Sequence, residues 1–153
     1  MKSPYWLLLP VIAIAAIILL GGGDKSQAVL HKSTYTFISG PEKSVEKLER
    51  LYDIDMLMIK VANLAQREII HANINILDGW DFIDTCGKTA NACFASPNHI
   101  YLEAGWSISN MTGLSLAHEM AHLYYPTNQL AADQISCAIF PDFEKCENVR
   151  PER

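Results

Sequence analysis

The chain has 153 residues, half of them hydrophobic and only 19% charged, with a formal net charge of −5. That composition excludes an intrinsically disordered chain, and the acidic balance would repel a phosphate backbone, which argues against nucleic acid as a partner. The length suits one domain with a real core and is too short for two comfortable ones.

The first element lies at the amino terminus. From Tyr5 to Leu20 there is no charge, Pro10 is the only residue outside the apolar set, and Gly21, Gly22 and Gly23 extend the run to residue 23. At about 1.5 Å per residue this just crosses a hydrocarbon core of roughly 30 Å. A cleavage site calls for an A-x-A arrangement after the run, and only the glycines are on offer. Residues 1–23 are therefore expected to form a retained signal anchor, with membrane contact through residues 5–23, in preference to a cleaved leader. Lys2 before the span and Lys25 and Lys32 after it leave the positive-inside rule undecided.

Residues 24–38 read as a tether that becomes a strand at Tyr35-Thr36-Phe37-Ile38. Pro41 and Glu42 suit the first turn of a helix. Apolar residues then recur in steps of three and four at Val45, Leu48, Leu51, Ile54, Met58, Val61, Ala65 and Ile69, which predicts one long amphipathic helix to about His71. Ala72-Asn73-Ile74-Asn75-Ile76 alternates with period two and ends at Asp78-Gly79, a strand and a turn. A loop with Trp80, Asp81, Asp84, Cys86 and Cys93 follows, then a shorter strand at 99–103. Asn110 or Thr112 caps a helix from about Gly113 to Tyr125, stopped by Pro126. Thr127 or Asn128 caps the next, through about Phe140, and a polar tail runs from Pro141.

The four cysteines, Cys86, Cys93, Cys137 and Cys146, contain no CxxC pair. An even number so spaced argues for two disulfides, hence for a domain outside the cytoplasm, periplasmic or extracellular. Three pairings are open, of which the local one closes two short loops. The competing reading is four buried thiols in a cytoplasm-facing domain.

Within the predicted helix stands His118-Glu119-Met120-Ala121-His122, an HExxH. Histidines at i and i+4 project from one face, so both imidazoles can reach a single divalent ion, with the glutamate beside its open coordination position. Zinc there lowers the pKa of a bound water, and Glu119 as general base takes the proton as that water attacks a carbonyl.

On these residues the region from 99 to 140 resembles the core of the zincin metallopeptidases. In that superfamily a long helix, a small sheet whose edge strand aligns the substrate, the HExxH helix and a helix with the third ligand follow in order. Here they map to 41–71, 99–103, the motif helix and 128–140. The resemblance implies an α+β zincin-like domain at residues 39–153, preceded by one transmembrane helix. Many relatives carry an E-x-x-A-D pattern on the last helix, its glutamate binding zinc and its aspartate one turn further on. This chain has Gln129-Leu130-Ala131-Ala132-Asp133. A neutral amide is a poor zinc ligand, so Asp133 is expected either to bind zinc directly, the favoured reading, or to orient a histidine. Glu144, Glu147, Asp142 and Asp84 are the reserves.

Other residues are assigned to structure. Tyr124 and Tyr125 can reach an oxyanion, but aromatics at a helix end are normally packing. His31, His71 and His99 lack spaced partners, and core packing is the default for Trp80 and Trp106. Asn110-Met111-Thr112 fits the glycosylation pattern. The function expected is that of a membrane-tethered zinc-dependent endopeptidase using His118, His122, Asp133 and Glu119, its peptide or protein substrate laid along strand 99–103. The alternative is a catalytically inactive envelope binding or assembly protein of the same fold, stapled by disulfides.

Overall fold

A computed structural model describes residues 28–105, 111–147 and 149 of the chain. The expected anchor at 1–23, Trp106 and Asn110 lie outside the described residues, among which no helix is long and apolar enough to cross a membrane.

Five strands form one mixed sheet: β1 (Ala28–Lys32), β2 (Thr36–Pro41), β3 (Ala72–Leu77), β4 (Ala92–Ala95) and β5 (His99–Glu103), in the order β1-β2-β3-β5-β4. The inner pairs are parallel and the two outer ones antiparallel. Period-two alternation decides which side is buried. Thr36 and Ile38, Ala72, Ile74 and Ile76, and Ile100 and Leu102 are all buried, while the residues between them are half exposed. Burying each of these branched side chains contributes about 1.5–3 kcal/mol.

Four helices share the core on that face. They are α1 (Glu42–Leu51), α2 (Ile54–Ala65), α4 (Met111–His122) and α5 (Gln129–Ile139), contributing Leu48, Met58, Val61, Leu116, Met120, Ala132 and Ile135 among others. A shorter helix, α3 (Gly79–Cys86), lies against β5. The architecture is thus α+β, with a five-stranded mixed sheet and five helices among the described residues.

The single helix expected over 41–71 is two. Tyr52 is extended, and the Asp53 carboxylate accepts the Met56 N–H at 2.9 Å, capping α2 as a new helix. The apolar spacing runs on across the break because both helices face the same core, so periodicity alone conceals it. The second helix ends at Ala65, where Gln66 takes a left-handed conformation and its N–H bonds back to Ala62 and Asn63. Beyond it, Tyr124 and Tyr125 serve the scaffold. The Tyr124 hydroxyl accepts the Ile70 N–H at 3.2 Å, and the Tyr125 hydroxyl donates to the Ala65 carbonyl at 3.4 Å.

The break also braces the motif helix. The Tyr52 hydroxyl accepts the Gly113 N–H at 3.1 Å. A Cβ at Gly113 would stand 2.7 Å from the Tyr52 ring and 3.0 Å from the Phe140 ring, so only glycine lets the start of α4 come this close.

Four further expectations are corrected. The loop after β3 contains α3 and the unforeseen β4, and part of the tether is β1. Trp80 is not core but 77% exposed. Strand 99–103 is not the edge, because β5 is paired with β3 on one side and β4 on the other; the outer strands are β1 and, on the β5 side, β4. The disulfides take the local pairing, Cys86–Cys93 and Cys137–Cys146. The first ties the end of α3 to β4, and the second ties α5 to the one-turn helix Glu144–Cys146.

Candidate metal centre

Helix α4 turns His118 and His122 into the protein, 7% and 8% exposed. Four residues apart, they lie one turn from each other with Nε2 atoms at 3.2 Å. Both tautomers are set by what faces the other nitrogen. The Nδ1 of His122 is 2.9 Å from the Tyr125 carbonyl, which only accepts, so the proton sits on Nδ1. Phe94 of β4 stacks behind the same imidazole. The Nδ1 of His118 lies 3.0 Å from an Asp133 carboxylate oxygen, again an acceptor. Neither of these two buried atoms makes a well-aligned hydrogen bond, to the other or elsewhere among the described residues, so the carboxylate acts on the ring through its charge, which favours the proton on Nδ1. The same Asp133 oxygen is 3.2 Å from the Lys145 ammonium.

Two Nε2 lone pairs therefore face each other across a buried gap, an arrangement that favours a cation between them. Two nitrogens bound to tetrahedral zinc at about 2.0–2.1 Å are separated by roughly 3.3 Å, close to the observed 3.2 Å. Burial holds His118 below the usual imidazole range against the pull of Asp133, which keeps Nε2 free of a proton.

Gln129, the first residue of α5, reaches the same point, its amide nitrogen 2.7 Å from the His118 Nε2. The amide donates to that lone pair; turned by half a revolution it presents its oxygen instead. The donor set is thus two imidazoles and an amide, and among the described residues no three His, Cys, Asp or Glu side chains are gathered as a metal cluster. Asp133 stands behind His118, on the Nδ1 side, and not in the space between the Nε2 atoms. Asp84, Asp142, Glu144 and Glu147 line neither half of the cleft described next.

The cleft lies between α4 and the free edge of β4, and has two halves sharing Ala92, His118, Glu119 and Gln129. One, of about 350 Å³, adds Thr89, Asn91, Leu114, Ser115 and Lys145. The other, of about 260 Å³, adds Cys93, Phe94, His122, Pro126 and Thr127. Glu119 sits where the halves meet. Burial pushes its carboxyl up to about 7, opposed by His122, Lys145 and the backbone N–H of Phe94.

The other candidates lie elsewhere. His31 pairs with Glu49, His71 packs edge-on to Tyr35, and His99 stacks on Tyr101. A cavity of about 380 Å³ near the α1–α2 junction is lined by Glu49, Asp53 and Asp55. Asp55 is committed there to the β1–β2 turn. Burial raises its carboxyl, but bonds from the Ser33 hydroxyl and the Thr34 and Tyr35 N–H groups outweigh it and hold the group low. Sequence reasoning missed the β4 edge and Lys145. A four-residue strand carries too little pattern, and the lysine reaches the site only because a disulfide folds its turn back onto α5.

Compared with known proteins, the chain matches no family model, no curated protein and no solved structure.

Proposed function

We propose that the protein is a membrane-tethered, zinc-dependent endopeptidase, with His118, His122 and the Gln129 amide oxygen holding the ion and Asp133 orienting His118. The observation that carries this reading is the pair of Nε2 atoms facing each other at 3.2 Å beside a half-buried glutamate whose carboxyl is pushed up to about 7. A bound zinc ion would supply Lewis acidity, polarising a peptide carbonyl and making water a stronger acid. The remaining chemistry belongs to the chain. Glu119, with its carboxyl near 7, takes a proton from the attacking water and returns it to the leaving amine at neutral pH. Asp133 and the Tyr125 carbonyl fix the ring tautomers, as partners of metal-binding histidines do. The peptide lies along β4 in place of the expected 99–103 strand, adding a strand to the free edge beside Glu119. Residues 5–23 supply the membrane contact, and the two disulfides fit an oxidising compartment outside the cytoplasm.

One feature favours the second reading, a non-catalytic binding protein of the same fold: Gln129 offers an uncharged third donor. Metal analysis of the full chain in nonionic detergent, with digestion of a synthetic peptide library, separates the two. One zinc per chain, cleavage, and loss of cleavage but not zinc in Glu119→Gln support the peptidase. Absence of cleavage, with or without zinc, supports the binding protein, and a chain that takes no zinc refutes the peptidase.

A further inference from the structure

The half of the cleft lined by Thr89, Asn91 and Ser115 holds one fixed cation among its described lining residues, Lys145. Its side chain is 57% exposed, whereas that of its partner Asp133 is 19% exposed and lies behind it against His118. The cleft therefore meets the positive end of the ion pair. An ammonium has three donors, and a single Asp133 contact leaves the others for a ligand. Its base is fixed as well. Lys145 occupies the one-turn helix whose next residue, fully buried Cys146, is bonded to Cys137 of α5. The opposite half is lined by Cys93, Phe94, Pro126 and Thr127 and adds no fixed charge of its own.

Resting on the peptidase reading, we propose that Lys145 is a specificity-determining residue: it receives a substrate carboxylate on one side of the bond to be broken, so the preferred substrates are acidic peptides or peptides with a free carboxyl terminus near the cut. A partly exposed ion pair of this kind is worth about fivefold in selectivity.

The test digests an equimolar synthetic peptide library, in free-acid and carboxy-amidated forms, with the zinc-loaded full chain in nonionic detergent. Cut sites are read by mass spectrometry. Wild type is expected to enrich a carboxylate over Lys and Arg about fivefold at one position, Lys145→Met to lose the preference and Lys145→Glu to invert it. Enrichment that survives amidation assigns a side-chain carboxylate, and enrichment that vanishes assigns the chain terminus; each supports the proposal. Cleavage without enrichment, or enrichment unmoved by Lys145→Glu, overturns it. A parallel arm measures binding of labelled peptides differing only as Glu or Lys to the zinc-loaded Glu119→Gln chain, by fluorescence anisotropy. Tighter binding of the Glu peptide that depends on Lys145 supports the proposal even if wild type cuts nothing, in which case the peptidase reading alone fails. Equal or absent binding overturns it.

Discussion

Replacing Glu119 by glutamine tests whether this carboxylate is held in the cleft at a cost to the fold. An ordinary glutamate ionises near 4.5, and burial pushes Glu119 to about 7. At about 1.4 kcal/mol per tenfold, ionising it in the metal-free fold costs about 3 kcal/mol, an upper value since the group keeps some solvent contact. The sign follows from proton uptake. Between the two values the folded chain holds a proton that the unfolded chain has released, so stability falls as pH rises through this window and levels above it. Glutamine has the same shape and no charge. Glu119→Gln should therefore match wild type near pH 4.5 and exceed it by about 1–3 kcal/mol at pH 8. The assay is denaturant unfolding of both full chains in nonionic detergent with a chelator, followed by circular dichroism at a series of pH values. The difference between the chains at each pH cancels the titrating groups that do not interact with Glu119. A difference independent of pH, or a variant less stable at pH 8, refutes the argument that Glu119 is buried at a cost.

Gln129→Glu puts an anionic donor beside the two imidazoles and should tighten zinc about tenfold or more in a chelator competition. Asp133→Asn should weaken zinc roughly 10–100-fold while leaving a site, as loss of an orienting partner does; complete loss equal to that of His118→Ala would make Asp133 a direct ligand. Gly113→Ala drives a methyl into the Tyr52 and Phe140 rings and should cost about 1–3 kcal/mol in denaturant unfolding. Asp53→Ala removes the cap that restarts the chain as α2, with an expected loss of about 1 kcal/mol.

The parts of the fold legible in the sequence are those in which one physical signal dominates. Strand β3 alternates because one face is buried, and its buried Ala72, Ile74 and Ile76 are the residues the period-two pattern marks. The start of α5 follows from the Asn128 cap, whose side chain accepts the Ala131 N–H, whereas α4 ends at His122, three residues before the end that Pro126 suggests. The junction at Tyr52–Asp53 was hidden because its signal is a single capping side chain inside an unbroken apolar rhythm. The edge strand was hidden for a related reason. Ala92–Ala95 has no alternating burial, each residue being half exposed, and it owes its place to pairing with β5 and the Cys86–Cys93 bond. These are contacts between segments distant in the chain, and local pattern does not record them.

At the site the same division falls within single residues. Spacing dictates that His118 and His122 meet, because any helix puts positions i and i+4 on one face. Spacing also puts Gln129 and Asp133 on one face of α5, and for that reason cannot say which of them reaches the Nε2 side of His118. The answer depends on how α5 is rotated against α4. Buried Ala132, Ile135 and Ser136 pack toward the core, and this sets Gln129 at the Nε2 side and Asp133 at the Nδ1 side of one imidazole. The part each side chain can play follows from its position: the Gln129 amide faces the Nε2 side, where the proposed ion would be held, and the Asp133 carboxylate faces Nδ1.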